Sequence, residues 1–455
     1  MKKRLAAEWE PAKGVMVTWP LLLPHSLIVE FTRDIDTFIL YNYELDPDEI
    51  TAALKEWDAN LDNVHLLPVP QGQDANWIRD WGPHAVFTLD GKCVLTSPDY
   101  HIYGTPNQGT DPDGDMTSVF TGEVLMPGEP LAIETLTGRS LAQYFGSPQQ
   151  DCHFVLTGGN IMSDGYNTLI STVVLVKENE LNGLREEDFF KAVGDVTGMT
   201  EYSIIPNYEN LGIQHVDCMF KMIDDETLFV ARPPKDHEYY ERYENIVNNV
   251  LSKIMTRYGR PFKIKRFDTA RYSGEELAAY SNSIILNKTI YVPLFDIPQD
   301  DVILGQWEEA LPGYKAKGFK YILADEPENP MSEMYPTHLG WTSGDSLHCR
   351  TRAVWDPEML YMSVRRAENG EKEVFANVVD YSKAGIEEVT LHIRKSGENE
   401  FADIPMHVTA NRDYYLGSLD GFSGKLEYFV SAQNRAGKVE TMPRTAPIGL
   451  YRTEL

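Results

Sequence analysis

The chain has 455 residues, more than one ordinary hydrophobic core accommodates, so two or more domains are expected. Its 41 basic and 69 acidic residues give a formal net charge of −28; this argues against nucleic acid or an anionic membrane as the main partner and favours cationic ligands, although acidity also serves solubility alone. Cys93, Cys152, Cys218 and Cys349 are far apart and fit no CxxC spacing, so neither a dense disulfide framework nor a structural zinc knuckle is expected.

MKKR begins like a secretory signal, but AAEWEP follows where an apolar segment of roughly 7 to 15 residues is required. A trimmed secreted protein would look the same, so the compartment stays open. The apolar stretch VMVTWPLLLPHSLIVEF is broken by Pro20, Pro24 and His25 and falls short of the ~20 residues that span a bilayer. A soluble protein is expected.

Up to residue 354, strand-like runs alternate with helical ones such as DEITAALKEWDANL (48–61) and HEYYERYENIVNNVLSKIMTRYG (237–259). In the latter, Tyr240, Tyr243, Ile246, Val247, Val250, Ile254 and Met255 recur near the helical period, leaving one face apolar and the other charged. The alternation predicts a mixed α/β domain over residues 1–354. Within it a short polar tip followed by strand, turn and strand recurs: WIRDWGPHAVFTLDGKCVLTSP from 77, TGGNIMSDGYNTLISTVVLV from 157, HVDCMFKMIDDETLFVARPP from 215 and SNSIILNKTIYVP from 281. GDSLHCRTRAV, from 344, opens a fifth. A spacing of roughly 60 to 80 residues suits repeated units of two or three strands plus a helix. Five such units close a ring. If their tips share an axis, Asp80, Asn160, His215, Asp217, Asn282 and Cys349 converge; chance recurrence of hairpins is the competing explanation.

Composition shifts near residue 355. LYMSV (360–364), VFANVVDY (374–381), VTLHI (389–393) and KLEYFVSAQN (425–434) alternate apolar and polar residues between Gly, Asn and Asp turns, which predicts a β-sandwich of immunoglobulin-like size over 355–455. The Cys…Trp…Cys signature is missing there, and so is any catalytic grouping.

Two carboxylates, a His and a Cys facing one cavity suit a planar cation that is to be attacked. Guanidinium is planar, permanently charged and forked, so Asp80 and Asp217 can clamp it bidentately. Its carbon is a poor electrophile. Hydrolysis needs a strong nucleophile, for which Cys349 is the candidate, and an acid for the departing nitrogen, for which His215 is. Read as a strand, H-V-D turns His215 and Asp217 to one face, with Val216 and Cys218 behind. Cys93, Cys152 and Cys218 are read as structural. His348 should face away from Cys349 as a packing or hydrogen-bonding residue, and Arg350 and Arg352 should form a solvated or ion-paired strand face.

The segments AEWEPAKGVMVTWP, WIRDWGP, LTGGNIMSDG, HVDC, YSNSIILN, ALPGYKAKGFK and GDSLHC, in this order, resemble the Porphyromonas-type peptidylarginine deiminase and agmatine deiminase family of guanidino-modifying enzymes. The resemblance spans about residues 8 to 352. It implies a fivefold pseudosymmetric ββαβ propeller (pentein-like), here followed by the immunoglobulin-like β-sandwich, and deimination through a covalent Cys adduct with no metal and no cofactor required. Carried over by position, it gives Cys349 as nucleophile, His215 as acid/base, Asp80 and Asp217 as guanidinium ligands, Asn282 as a supporting polar residue and Trp77 as an aromatic flanking the substrate's aliphatic stem; Asn160 joins them as a substrate-binding candidate from its tip position. Members that read a C-terminal arginine hold its carboxylate with an arginine pair after the first aspartate motif, and SPDYHIYGTPNQGTDPDG contains none. Peptidyl-arginine is the expected substrate, on the strength of the C-terminal module, with agmatine as the alternative; a nucleic acid partner and a membrane span are not expected.

Other classes of function fit less well. A Cys–His–Asn amide hydrolase built from Cys349, His215 and Asn282 has no use for two aspartates at the binding face. A metalloenzyme would need ligand spacing such as HExxH, which is missing. A non-catalytic adhesin using the β-sandwich has no need of Cys349, His215, Asp80 and Asp217 together.

Overall fold

The computed structural model describes residues 3–72, 75–100, 133–210, 213–321, 340–411 and 413–455. The chain separates into two compact units, the first comprising residues 1–89, 93–307 and 316–355 and the second 90–92, 308–315 and 356–455.

Five sheets of the first unit combine an antiparallel pair with a further strand reached through a helix, and in four of them that strand is parallel to its neighbour. A parallel neighbour cannot be reached by a tight turn, which is why each such step contains a helical crossover. His84–Thr88 and Cys93–Asp99 pair antiparallel, and after the helix Ile133–Tyr144 the strand Gln149–Val155 lies parallel to the second. Met162–Ser163 and Thr168–Thr172 are joined in the same way by Glu201–Ile205. Phe220–Asp224 and Thr227–Arg232 are joined by Lys263–Asp268, after the helix Tyr240–Asn249. Ile284–Leu286 and Thr289–Leu294 share a sheet with Lys315–Lys320, after the helix Gln299–Ala310. The fifth sheet ties the two ends of the unit together. Arg352–Trp355 runs antiparallel to Ala12–Thr18, and Asp36–Asn42 and Val64–Val69 extend it in parallel. A Cβ on Gly14 would stand 2.5 Å from the Asp36 carbonyl oxygen, so only glycine permits that approach of the two strands.

The polar tips are turns ahead of strands: Ile78–Trp81 is a single helical turn, Gly158–Asn160 is a 3-10 turn, and Cys349 lies in a turn ahead of the strand Arg352–Trp355. HVDC alone differs from expectation, because its alternation reads as a strand and Val216–Met219 is a single helical turn. VVLV, read as a continuing strand, starts the helix Val173–Leu181, whose Val174, Leu175 and Val176 are buried. A short apolar run does not by itself distinguish a strand from a buried helix. The long helix expected over 237–259 is a helix only over Tyr240–Asn249, then a 3-10 turn over Leu251–Lys253.

In the second unit, Leu360–Arg365, Glu373–Asp380, Tyr414–Ser418 and His407–Val408 form one antiparallel sheet. Ala402–Pro405, Ile386–Lys395, Lys425–Asn434 and Val439–Met442 form another, with Tyr451–Glu454 also on Lys425–Asn434. Alternate residues of both, among them Met362, Val364, Ala376, Leu391, Tyr428 and Val430, share one buried core, as two sheets packed face to face require. Among the described residues, no helix is long and apolar enough to cross a membrane.

One buried ion pair stabilises the start of the chain. Arg4 Nη1 donates to Glu10 Oε1 at 2.6 Å and Oε2 at 2.7 Å, and also to the Gly165 carbonyl. Replacing Glu10 by Ala leaves the guanidinium buried without its carboxylate, at a cost of about 3–5 kcal/mol. Chemical denaturation is expected to show a lower midpoint for Glu10→Ala and a smaller loss for Glu10→Gln; equal midpoints for Glu10→Ala and the parent protein would contradict the pairing.

Candidate active site

Asp80, His215 and Asp217 stand around one point, marked by Gly159. A Cβ built on Gly159 would lie 2.7 Å from Asp80 Oδ1, 2.9 Å from His215 Nδ1 and 3.1 Å from Asp217 Oδ2. Only glycine leaves that space open. Asp80 is held by the Gly159 N–H, which donates to Oδ1 at 3.0 Å, and His215 Nδ1 is 3.7 Å from the same oxygen. That nitrogen is buried and has no hydrogen-bond partner among the described residues. These three side chains and that of Cys349 are buried, with residue exposures of 6% for Asp80, 3% for His215, 0% for Asp217 and 1% for Cys349.

Asn282 connects the nucleophile candidate to its surroundings. Its Oδ1 accepts from the backbone N–H of His348 at 3.0 Å and of Cys349 at 3.3 Å, which orients Nδ2 toward Cys349 Sγ at 3.2 Å. The turn before Cys349 is fixed by Arg350, whose Nε and Nη2 donate to the two Asp345 oxygens at 3.0 and 2.7 Å and whose Nη1 donates to the Leu22 carbonyl. The Arg79 N–H donates to the Cys349 carbonyl at 3.1 Å, joining the turn that carries Asp80 to the turn that carries the thiol.

The electrostatics follow from burial. Desolvation, reinforced by the charge of Asp217, holds the Asp80 carboxyl well above the usual range. Burial disfavours the Asp217 carboxylate too, but a hydrogen bond with His348 and nearby positive charge outweigh it and its pKa falls. Burial lowers the His215 pKa to about 4, so its ring is neutral near pH 7. For Cys349, a hydrogen bond from Cys218 favours the thiolate, yet burial and the charges of Asp217, Asp345 and Asp80 prevail and the pKa is raised. At rest the site therefore holds a neutral thiol and a neutral imidazole beside buried carboxylates.

Several positions differ from the sequence reading. His215 and Asp217 do not reach the site through strand alternation: His215 precedes the helical turn Val216–Met219 in an extended conformation, and Asp217 lies within that turn. Cys218 does not point away, because its Sγ is 3.5 Å from Asn282 Nδ2 and 3.5 Å from Asp217 Oδ1. His348 is a hydrogen-bonding residue as expected, but it is not turned from the site: Nδ1 is 2.7 Å from Asp217 Oδ2 and Nε2 is 2.5 Å from Glu8 Oε2. Arg350 and Arg352 are not a solvated face. Both are buried, Arg350 against Asp345, and Arg352 against the carbonyls of Pro83 and Arg79 and His84 Nδ1. Asn160 directs its amide to Thr172, with Nδ2 2.9 Å from Oγ1, and accepts from the N–H of Thr172 and Val216; its neighbour Gly159 faces the carboxylates. Trp77 is half-buried immediately before the turn bearing Asp80. In the segment lacking the arginine pair, residues 101–114 lie outside the described residues.

The sequence reading assigned no role to Glu8, Arg79, Gly159 or Lys221. Glu8 faces His348, Lys221 Nζ at 3.1 Å and Arg79 Nη1 at 3.6 Å. The signal for Lys221 was available in the strand Phe220–Asp224: a lysine among Phe220, Met222 and Ile223 must be paired if it is buried.

Residues 4–321 match the model of the family described as Porphyromonas-type peptidyl-arginine deiminase. That span includes Asp80, His215, Asp217 and Asn282, and Cys349 lies beyond it. An agmatine deiminase from Pseudomonas syringae pv. syringae is 23% identical over 389 residues, covering 76% of this chain and 94% of the relative. The structure of an agmatine deiminase of Enterococcus faecalis superposes with a TM-score of 0.57 at 17% identity, covering 77% of this chain and 95% of that one. A Cys-to-Ser variant of C. jejuni agmatine deiminase with substrate bound gives 0.56 at 14% identity, covering 78% and 96%. These similarities to solved structures establish a shared mixed α/β fold. The chain belongs to the Porphyromonas-type peptidyl-arginine deiminase family.

Proposed function

We propose that this chain hydrolyses a guanidinium group to a ureido group with release of ammonia. The observation that carries the reading is the pair of buried carboxylates, Asp80 and Asp217, facing one open point with His215 while the Cys349 thiol feels both charges. A pair of like charges in a desolvated space is costly, and a planar cation with forked N–H donors relieves it. The five ββαβ units are read as blades of a pentein-like propeller around this point, and the second unit as an immunoglobulin-like module.

In this scheme the guanidinium is held by Asp80 and Asp217. Its charge offsets the field that keeps Cys349 protonated, so the thiol becomes easier to ionise once substrate has arrived. Neutral His215 takes the thiol proton as Sγ bonds to the guanidinium carbon, then delivers it to the departing nitrogen, which leaves as ammonia. Water, deprotonated by His215, attacks the thiouronium carbon; the C–S bond breaks and the ureido product leaves. Asn282 Nδ2 lies where it can stabilise negative charge on Sγ.

Two substrates fit the reacting end. Agmatine is favoured by the names of the relatives and by a chain of net charge −28, since agmatine carries two positive charges. Peptidyl-arginine is favoured by the family description.

Cys349→Ala and His215→Ala are expected to abolish ammonia release, and a panel of agmatine, free arginine, an internal-arginine peptide and a peptide ending in arginine, with ureido product quantified, separates the substrates. Ammonia formation by Cys349→Ala would refute the covalent route. The pH dependence has a definite sign. Asp80 binds the cation as a carboxylate and its pKa is raised, so the acid limb of kcat/KM is expected above the ordinary Asp value of about 3.9; a limb at or below that value would contradict the clamp. Because the raised folded pKa makes the protonated form the more stable one, stability falls as pH rises through it. Asp80→Asn mimics that form and should raise the thermal midpoint near neutral pH by a few degrees, on the order of 1 kcal/mol, while losing guanidine binding; the stability gain should shrink toward acid pH.

A further inference from the structure

Cys218 has no part in the chemistry proposed above, yet it is built into the same cluster. Asn282 Nδ2 approaches Cys218 Sγ at 3.5 Å and Cys349 Sγ at 3.2 Å, so one amide nitrogen contacts both sulfurs. They come from segments well apart in the chain, the helical turn Val216–Met219 and the turn before Arg352–Trp355. Cys93 lies in the strand Cys93–Asp99, and Cys152 is buried with Phe154, Leu156 and Phe189 in a separate core cluster. All four cysteines are free thiols.

We propose that Cys218 is a resolving thiol, which captures hydroperoxide-oxidised Cys349 as a Cys218–Cys349 disulfide and so makes oxidation of the site reversible. In the first step ionised Cys349 attacks one peroxide oxygen; the O–O bond breaks, an S–O bond forms, and the departing oxygen takes a proton and leaves as water or an alcohol. Sulfur is oxidised by two electrons to the sulfenic acid, and the peroxide is reduced by two. In the second step Cys218 sulfur attacks Cys349 Sγ. The S–O bond breaks and hydroxide leaves with the Cys218 proton as water. The sum is two thiols plus one hydroperoxide giving one disulfide, one alcohol or water, and one water. Disulfide formation brings the two sulfurs to about 2.05 Å.

The consequence is specific. A sulfenic acid with no thiol beside it proceeds to sulfinic acid, which dithiols do not reduce, whereas a disulfide with Cys218 is reduced back to two thiols. The proposal rests on the placement of the two sulfurs. It uses the guanidine reading only for an activity readout.

The test treats the reduced full-length chain with hydrogen peroxide, blocks free thiols by alkylation and maps peptides by mass spectrometry. Expected is a linked peptide pair joining Cys218 to Cys349, removed by dithiothreitol. In Cys218→Ser, and in Cys218→Ala should the serine variant fold poorly, Cys349 should instead be recovered as sulfinic or sulfonic acid that dithiothreitol leaves unchanged. Sulfinic acid at Cys349 in the parent chain at the rate seen in the variants, with no linked pair, overturns the proposal; so does a pair joining Cys349 to Cys93 or Cys152. If guanidine turnover is present, it should be lost with peroxide and regained with dithiothreitol in the parent chain, and lost permanently in the variants. A linked pair in a chain that turns over no guanidine supports this inference and counts against the proposed function; turnover without any linked pair does the reverse.

Discussion

The buried repulsion between Asp80 and Asp217 is the constraint to which the surrounding structure answers. A carboxylate that loses water must regain hydrogen bonds or positive charge, and the two groups do so unequally. Asp217 has His348 at 2.7 Å and Lys221 nearby, and its charge is favoured. Asp80 has one backbone N–H at 3.0 Å and a neutral imidazole at 3.7 Å, and its charge is penalised. One carboxylate is thus satisfied from within the protein, while the other is left for a cation from outside.

Holding that asymmetry in place needs a framework behind the site. Glu8 gathers His348, Lys221 and Arg79, and Arg79 Nε donates to the carbonyls of His348 and Thr351. Arg352 then donates to the carbonyls of Arg79 and Pro83. These groups come from the chain start, from the turn bearing Asp80, from the strand Phe220–Asp224 and from the segment around Cys349. Buried ions of this kind add little net stability, because desolvation offsets their attraction, but breaking one partner is costly. Their effect is geometric: a side-chain shift in any one segment strands a charge, so the turns that present Asp80, Asp217 and Cys349 have little freedom to drift apart.

The grouping of Asp80 with His215 and Asp217, and of Asn282 with Cys349, was legible in the sequence. Cys349, His215, Asp80, Asp217 and Asn282 were identifiable because a thiol, an imidazole, two acids and an amide on polar tips of recurring units suggest one chemistry, and the strands after those tips were readable from alternation and turns. The local conformation of the tips was not readable. HVDC and WIRDW are four or five residues long, too short to display a period, and their helical turns are set by tertiary hydrogen bonds such as the Gly159 N–H to Asp80 and the Val216 N–H to Asn160. That error had a consequence: strand alternation put Cys218 and His348 on the wrong side, whereas a helical turn brings Cys218 beside Asn282. Arg350 is ion-paired with Asp345, one of the two expectations, but the burial of both Arg350 and Arg352 was missed for a related reason. Alternation indicates which face a side chain takes, not whether that face is covered, and here it is covered by Asp345, by His84 and by backbone carbonyls.

The same constraint accounts for the resting state of the thiol. The charges of Asp217 and Asp80 oppose a thiolate at Cys349, so in the proposed scheme the groups that clamp the guanidinium also keep the thiol protonated when the site holds no cation. A more exposed cysteine of ordinary pKa would be partly ionised at all times and open to alkylation and oxidation. Under the proposed function, ionisation is instead coupled to arrival of the cation. The coupling is incomplete, because the Cys218 hydrogen bond and the Asn282 amide both favour negative charge on Sγ. A hydroperoxide, being uncharged and smaller than a guanidine, needs no carboxylate clamp to reach Cys349. Under the redox proposal, Cys218 is the thiol placed to capture the oxidised sulfur, since both sulfurs contact Asn282 Nδ2.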